Sequence, residues 1–267
     1  MDDDRPSHHD RTPIAKADFI EGLAKGLAVL EAFDTERQRL NATLAAQRTG
    51  ITRAAARRHL LTLAELGYLE SDGSHYWLSP RVLRLAGSYM ATSRLPRTLQ
   101  PTLNRLATQT QAAFSAVVLD GSEVVIVARS AGSDEPVRRL AQGLHLGARL
   151  PAHATSTGRV LLANWPQAQL RDWLAGRELA RITPKTEVAP RAFKALLAQV
   201  RADDHCLARE AHELGIHALA VPLRDMRGQT LAALNVVGSA EQLTEAAVQR
   251  RWLPLLHEAA RELRPLL

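Results

Sequence analysis

Apolar residues recur every three or four positions near the start of the chain, which is the spacing of one helix face. They are Ile20, Leu23, Leu27, Leu30 and Phe33. A second short helix is predicted from Leu40 to Arg48, and Gly50 is predicted to break it. Thr52 then offers a side-chain oxygen as the N-cap of a third helix.

The third helix carries two contrasting faces. One face is apolar and is predicted to pack inward through Ala56, Leu60 and Leu63. The opposite face holds small and basic residues, namely Arg53, Ala54, Arg57 and Arg58. A tight β-hairpin is predicted over 69–78, around turn residues 71–74. Helices followed by a hairpin in this order are typical of a winged helix-turn-helix.

Beyond the hairpin the pattern changes. A connecting helix is predicted from Arg81 to about Ser93, Pro96 and Pro101 are predicted to mark a boundary, and a helix is predicted to restart at Leu103. Two strand pairs follow at 114–128 and 218–237, with helices at 160–163, 167–174, 191–202 and 245–263, the last with a predicted kink at Pro254. This order predicts an α+β fold with a mostly antiparallel sheet.

The same pattern predicts four segments. Residues 1–17 form a solvated, disordered tail, and 18–79 form the winged helix-turn-helix domain. Residues 80–98 form the linker helix, and 99–267 form the C-terminal domain.

Basic residues are concentrated in one part of this 267-residue chain, whose formal net charge is +6. Residues 37–64 contain six arginines and no acidic residue, whereas acidic residues flank that stretch. A basic chain favours anionic partners such as DNA, RNA or acidic lipid. One positive face on a nearly neutral module is the pattern expected of a protein that contacts a phosphate backbone.

Cysteine content and hydropathy bear on location. Cys206 is the single cysteine, so an internal disulfide is impossible and a reducing compartment is favoured. No run approaches the roughly 18 apolar residues of a membrane helix, and the acidic start lacks the features of a secretory signal. We therefore expect a cytoplasmic protein without a membrane partner.

The predicted DNA-binding surface centres on the third helix, whose N-terminal half would present donors to base edges in the major groove. Arg53 and Arg57 are one helical turn apart and can reach guanine or phosphate. The alternatives are a solvated basic helix in another kind of helical domain and, for Tyr76, a buried side chain. The candidate DNA contacts are Asn41, Thr43, Thr52, Arg53, Ala54, Arg57, Arg58, His75 and Tyr76.

Several blocks of sequence, in order, resemble the IclR family of transcription regulators. The residues that carry the resemblance are 19–33, 63–69, 147–163, 213–216, 221–225 and 232–236. The resemblance implies a winged helix-turn-helix, a linker helix and a GAF-like effector-binding domain over 99–267 that takes a small organic acid. It also implies a dimer or tetramer on a near-palindromic double-stranded DNA operator. The sequence is most similar to the branch that controls protocatechuate, 4-hydroxybenzoate and β-ketoadipate catabolism, which favours an activator.

A candidate effector cradle lies at Thr155–Gly158, where a helix begins. Free backbone amides, the helix dipole and two hydroxyls would converge there, which suits a carboxylate. The alternative is ordinary N-capping by Ser156 or Thr157. His153 lies beside the cradle and either contacts the effector or is a packing histidine.

The resemblance places the family's effector pocket in the C-terminal domain. The implied positions are Leu150, Ser156, Thr157, Ala208, Ile216, Ala218, Asn235 and Val237, to which the cradle adds His153 and Gly158. Asn235 interrupts an apolar strand, so its amide needs either an acid or phenol ligand or a neighbouring backbone group. Ala208 and Ala218 leave room for an aromatic ring, which argues against an effector the size of glyoxylate or pyruvate.

Enzymatic chemistry is not predicted. His205, Cys206, His212 and His217 match no zinc spacing, and Ser156 lacks a nucleophile elbow, so we expect no catalytic residue, metal or cofactor. Three alternatives differ in class: a small-molecule enzyme with a DNA-binding appendage, a nucleoid-type DNA binder without a ligand, and a membrane-surface protein.

Overall fold

Two compact units make up the chain, Met1–Thr92 and Ser93–Leu267. The computed structural model describes residues 14–34, 37–130 and 144–267. Most of the predicted tail at 1–17 therefore lies outside the described residues. The predicted linker, 80–98, spans the division between the two units, and each unit is described by itself below.

The described part of the first unit begins with three helices and a small hairpin. The helices are α1 (Glu21–Glu31), α2 (Ala42–Thr49) and α3 (Arg53–Glu65), and strands β1 (Leu69–Ser71) and β2 (Tyr76–Leu78) pair antiparallel. A short 3-10 turn (Pro80–Val82) then leads into α4 (Leu83–Thr92). The predicted winged helix-turn-helix is therefore confirmed.

Side-chain caps fix the ends of α2 and α3. The Asn41 carboxamide oxygen accepts hydrogen bonds from the amides of Thr43 and Leu44, both at 3.0 Å, so α2 begins at Ala42 rather than at the predicted Leu40. Leu40 instead exchanges two backbone hydrogen bonds with Tyr76 of β2. Gly50, with φ of 69°, ends α2 in the left-handed region that favours glycine, and Thr52 caps α3 as predicted.

Only the end of the predicted apolar stripe of α1, at Leu30 and Phe33, packs on the core of its own unit. Ile20, Leu23 and Leu27 are 68, 60 and 47% exposed. The inward-facing residues are Val29 and Phe33, which pack with the buried side chains of α2, α3 and the hairpin. The first three residues of the stripe, Ile20, Leu23 and Leu27, therefore form an exposed apolar strip on the described part of this unit.

The second unit opens with α5 (Arg94–Thr110), a single helix that contains both prolines predicted to interrupt it. Pro96 is the third residue of the helix, where the backbone N–H has no intrahelical partner in any case. Pro101 lies on the exposed side, where water can hydrate the carbonyl that it leaves unpaired. The predicted restart at Leu103 was therefore wrong.

A six-stranded antiparallel sheet forms the centre of the second unit, in the order β5-β4-β3-β8-β7-β6. The strands are β3 (Ala113–Asp120), β4 (Glu123–Arg129), β5 (Arg149–Pro151), β6 (Cys206–Arg209), β7 (Ile216–Arg224) and β8 (Thr230–Ser239). The two longest pairings, β3 with β4 and β7 with β8, are the predicted hairpins. The predicted α+β fold with a mostly antiparallel sheet is confirmed.

Helices cover both faces of this sheet. On one face, α5 and α10 (Leu253–Leu263) pack on an apolar core that includes Phe114 and Leu234. On the other face lie α6 (Ser156–Ala163), α7 (Gln167–Leu174) and α8 (Pro190–Asp203), packed on Val117 and Ala233. Alternation along each strand separates the two cores, because successive side chains point to opposite faces.

The closing helix is irregular near its proline. A short α9 (Glu245–Ala247) passes into a π-helical turn (Val248–Trp252) and then into α10. Pro254 is the second residue of α10, directly after the π-helical turn, so the irregularity lies at the predicted kink. Across 14–34, 37–130 and 144–267, none of the helices has both the length and the hydrophobicity needed to span a membrane.

Candidate DNA-binding face and effector site

The exposed face of α3 carries its basic residues to solvent. Ala56 and Leu60 are buried, while Arg53, Ala54, Arg57 and Arg58 on the other side are exposed, as predicted. Within the described residues no acidic side chain pairs with these three arginines, so their positive charge is available to an anionic partner.

Arg53 is held in place by the preceding helix. Its Nε donates a hydrogen bond to Oγ1 of Thr43 at 3.2 Å. Because Thr43 lies in the first turn of α2, this bond joins the two helices of the motif on their exposed side. Thr43 therefore orients an arginine. Asn41 and Thr52, also predicted as DNA contacts, use their side-chain oxygens as helix caps.

Two other arginines of the basic stretch are occupied. Arg48 pairs with Asp34. Arg39 lies over the ring of Trp77 at 4.2 Å and pairs with Asp72 at 3.5 Å. The acidic residues that flank the basic stretch thus neutralise its edges and leave the arginines of α3 as the exposed positive face.

The wing tip is a tightly bonded turn. Oδ1 of Asp72 accepts hydrogen bonds from the amides of Ser74 and His75 at 2.9 and 2.8 Å, and these bonds lower the pKa of Asp72 to about 2. His75 is half-buried beside Ser74. The structure corrects the assignment of Tyr76, which is 8% exposed and belongs to the core, because strand alternation turns its ring inward.

In the second unit the predicted cradle lies at the start of α6, beneath the sheet. Thr155 is the N-cap, and its Oγ1 accepts from the amide of Gly158 at 3.1 Å. The predicted alternative, capping by Ser156 or Thr157, was therefore wrong. Ser156 is 1% exposed, and its hydroxyl has no hydrogen-bond partner within the described residues.

The side chain of Asn235 points from the sheet toward α6, the side on which the cradle lies. Antiparallel pairing aligns Ser115, Asn235, Ala220 and Cys206 across β3, β8, β7 and β6, and alternation points this row toward the α6 side. The Oδ1 atom of Asn235 is buried and has no hydrogen-bond partner among the described residues. The predicted alternative for this oxygen, a bond to neighbouring backbone, is therefore not formed.

A second row of the sheet supplies the remaining predicted pocket residues. Ala208, Ala218 and Val237 are aligned by strand pairing on that same side. Ile216, at the start of β7, and Leu150, in the middle of β5, are half-buried. Because the alanine side chains are short, they occupy little of the space between this part of the sheet and α6.

His153 is a packing residue. Its Nε2 contacts the carbonyl oxygen of Ala180 at 2.8 Å, and its ring meets Phe193 edge-on. Burial is the main cause that lowers the pKa of His153, and the charge of Arg159 contributes. The neutral imidazole is therefore favoured, and the alternative reading as a packing histidine is the one the contacts support.

The histidine and cysteine cluster does not form a metal site. His205 and His217 contact different backbone carbonyls, of Asp203 and Leu243. Burial raises the pKa of the Cys206 thiol to about 11. Within the described ranges, no group of three or more His, Cys, Asp or Glu side chains is placed to hold a metal ion.

Two polar residues of this layer were not among the predicted contacts. Arg159 in α6 is 4% exposed, and Ser115 in β3 is 9% exposed and is aligned with Asn235. Ser115 is a single polar residue within an apolar run, which is the same pattern that singled out Asn235, whereas Arg159 follows the Ser-Thr-Gly turn that opens α6. A search of every apolar run for lone polar residues would have found Ser115, whereas the burial of Arg159 depends on tertiary packing.

A separate groove of about 280 Å³ lies between α7 and α8. Arg171, Lys194 and Arg201 line it, and all three are exposed. Arg201 already donates to the carbonyl of Ala163, and Arg171 pairs with Asp172. Among the described residues, no buried polar atom without a partner lines this groove, whereas two such atoms lie between α6 and the sheet.

Comparisons with known proteins identify the family of both units. The description "Bacterial transcriptional regulator IclR C-terminal" matches residues 87–264, and "IclR helix-turn-helix domain" matches 22–73. The "Pca operon regulatory protein" of Acinetobacter baylyi is 48% identical over 95% of this chain and 91% of its own length. The "p-hydroxybenzoate hydroxylase transcriptional activator" of the same organism is 48% identical over 97 and 96%.

A solved structure gives the same result for the second unit. It is the inducer-binding domain of a double mutant of the PobR transcription factor from Acinetobacter, in complex with 3-hydroxybenzoic acid. It covers 64% of this chain and 98% of its own, with 42% identity and a TM-score of 0.59. The relatives are regulators of transcription, not enzymes. Motif, sheet and comparisons together show that this chain is a DNA-binding transcription regulator of the IclR family.

Proposed function

We propose that this protein activates catabolic genes in response to a hydroxylated aromatic acid bound between α6 and the sheet. Its relatives include a transcriptional activator for p-hydroxybenzoate hydroxylase, and a similar domain binds 3-hydroxybenzoic acid. The near-palindromic operator would be double-stranded DNA, with α3 in the major groove. A DNA partner also favours a cytoplasmic location.

The observation that carries this proposal is the pair of unpartnered buried atoms, Ser156 Oγ and Asn235 Oδ1. A buried polar group without a partner costs about 1–3 kcal/mol, so such atoms are rare in native proteins. The hydroxyl of Ser156 can donate to a carboxylate, and the Asn235 oxygen can accept from a phenol. A hydroxybenzoate carries both complementary groups on one rigid ring.

Binding of the acid must also change the state of the regulator on DNA. A ligand changes an equilibrium only by binding one conformation better than another. A tenfold shift toward the activating state requires about 1.4 kcal/mol of differential binding. A single hydrogen bond that forms in only one state, at Ser156 or Asn235, supplies a free energy of this order.

Ligand screening by thermal unfolding tests the proposal, because a ligand that binds only the folded state raises its apparent stability. We expect 3-hydroxybenzoate, 4-hydroxybenzoate or protocatechuate to raise the unfolding temperature most. Benzoate, which lacks the phenol, should bind about fivefold to tenfold more weakly. A larger shift with pyruvate or β-ketoadipate than with every aromatic acid would contradict the proposal, and turnover of an acid would support the enzyme alternative.

Self-association is a further part of the proposal. The apolar strip Ile20, Leu23 and Leu27 is exposed on the described first unit, and a second copy of the chain would cover it. We expect Leu23→Glu combined with Leu27→Glu to lower the sedimentation coefficient toward that of a monomer. Leu214→Glu, at a leucine that is 59% exposed in the second unit, is the matched control and should sediment as wild type. A double variant that still sediments as the wild-type oligomer would contradict this interface.

A further inference from the structure

Arg159 is a buried cation without an acidic partner. It is 4% exposed, and its Nε donates to the carbonyl oxygen of His153 at 2.9 Å. Within the residues that the structure describes, no carboxylate lies within ion-pair distance of its guanidinium. Arginine stays protonated in proteins, so it cannot relieve burial by losing its charge. A buried charge of this kind calls for a compensating anion.

The guanidinium of Arg159 lies between α6 and the sheet, as do the two buried atoms without partners, Ser156 Oγ and Asn235 Oδ1. Ser156 and Arg159 are three residues apart in α6, which places them on one face of the helix. Arg159 also acts on the thiol of Cys206, whose pKa it lowers against the larger effect of burial. Cys206 is aligned with Asn235 through Ala220, so the charge lies over the β6 end of the same row.

We propose that Arg159 is the carboxylate anchor of the effector site, with the Ser156 hydroxyl as the second donor. This inference rests on the proposed function and assigns an orientation to the ligand. The carboxylate lies at the α6 end against Arg159 and Ser156, and the phenol points to the Asn235 oxygen on β8. The site would then select aromatic monoanions and reject neutral analogues of the same shape, because only an anion compensates the buried guanidinium.

A purely structural arginine is the competing explanation. In that case the bond to the His153 carbonyl would be its whole role, and it would brace the turn before α6. Loss of Arg159 would then weaken the binding of every ligand by the same factor. The two roles are separated by a ligand pair that differs in charge and hardly in shape.

The test is calorimetric titration of the full-length protein at pH 7.5 with 4-hydroxybenzoate and with its neutral amide, 4-hydroxybenzamide. We expect wild type to bind the acid about 30-fold more tightly than the amide. Arg159→Gln should lower affinity for the acid by about that factor and leave the affinity for the amide within threefold. Ser156→Ala, the control, should weaken both ligands by similar factors, since a hydroxyl donates to either carbonyl group.

Arg159→Lys keeps the charge and loses the forked donors, so it guards against failure of the glutamine variant to fold. We expect it to bind the acid about fivefold more weakly and the amide as wild type does. Equal losses for both ligands, or a wild type without preference for the acid, would overturn the anchor. If wild type binds the acid but Arg159→Gln leaves the ratio of acid affinity to amide affinity unchanged, this inference fails and the proposed function stands. If wild type binds neither ligand, the proposed effector fails and the anchor with it.

Discussion

Gly158 in α6 lies directly against the backbone of Ala152. A Cβ atom built on Gly158 would stand 2.2 Å from the carbonyl oxygen of Ala152, closer than any real contact. The turn before α6 and the start of that helix are therefore packed backbone to backbone. This close approach positions Ser156, which begins the helix between them.

Gly158→Ala should therefore destabilise the second unit despite the higher helix propensity of alanine. Because the obstructing atoms are backbone, the helix itself must move, and we expect a loss of about 3 kcal/mol in the free energy of unfolding. Gly87→Ala is the control, since Gly87 is a helical glycine with open space around its Cα. It should stabilise by about 0.5–1 kcal/mol. Chemical denaturation measures both, and equal effects of the two variants would contradict the packing.

Thr43→Val should weaken specific DNA binding through Arg53. The valine keeps the shape of threonine and removes the acceptor of the 3.2 Å hydrogen bond that holds Arg53. One such bond corresponds to about 1 kcal/mol, or roughly fivefold in affinity. Fluorescence anisotropy with operator and with unrelated DNA separates the effects. Thr43→Ser, which keeps the hydroxyl, should bind as wild type does, and equal loss on both DNAs would contradict an orienting role.

Arg57→Ala should abolish most of the specific affinity for the operator. A base contact in the major groove is worth about 1–3 kcal/mol, and a phosphate contact changes the salt dependence of log K by about one unit. The affinity measured over a range of salt concentrations tells which contact Arg57 makes. Arg171→Ala removes an exposed charge from the second unit and should leave both quantities unchanged. Normal operator footprinting by the Arg57 variant would refute the assignment of α3.

Acid should destabilise the second unit through its buried histidines. Burial lowers the pKa of His153, His212 and His257 below 6.5, so each favours the neutral form when folded. The unfolded chain then binds more protons, and stability present above pH 6.5 is lost as the pH falls through that value toward the folded pKa. His153→Gln removes one of these groups and should flatten the decline between pH 7.5 and 5. A decline of the same steepness in both proteins would contradict this account. The pKa of Asp72 is lowered from 3.8 to about 2, so its contribution to stability is lost only at a pH below this range.

Local signals predicted most of the fold. Asn41 was not predicted as a cap, so the start of α2 was predicted two residues early, at Leu40. Gly50 and Thr52 did predict where α2 ends and α3 begins, because each acts on groups a few residues away. Turn residues did the same for the hairpins. Pro96 misled the prediction because its effect depends on its position in the helix, which cannot be known before the helix start is known.

The candidate site could be predicted only in part. Asn235 was singled out because it is polar within an apolar strand, and Ser156 because it lies in the turn that opens a helix, but their lack of partners depends on tertiary packing. Tyr76 was misassigned for a related reason, and the spacing in α1 did not show which of its apolar residues are buried. Hydrophobic spacing identifies a face, whereas the neighbouring elements decide whether Leu23 or Val29 faces the core.

Transcription in vitro from the operator-controlled promoter, measured against hydroxybenzoate concentration with wild type and with Ser156→Leu, tests the central claim most directly. Operator affinity, determined first, should be equal in the two proteins, because Ser156 lies in the second unit. We predict that wild-type output rises about tenfold or more with the acid, which needs about 1.4 kcal/mol of differential binding. The leucine removes the hydroxyl and adds bulk at the buried start of α6, so output should stay flat. A Ser156→Leu protein that responds at the same acid concentrations as wild type would contradict the account.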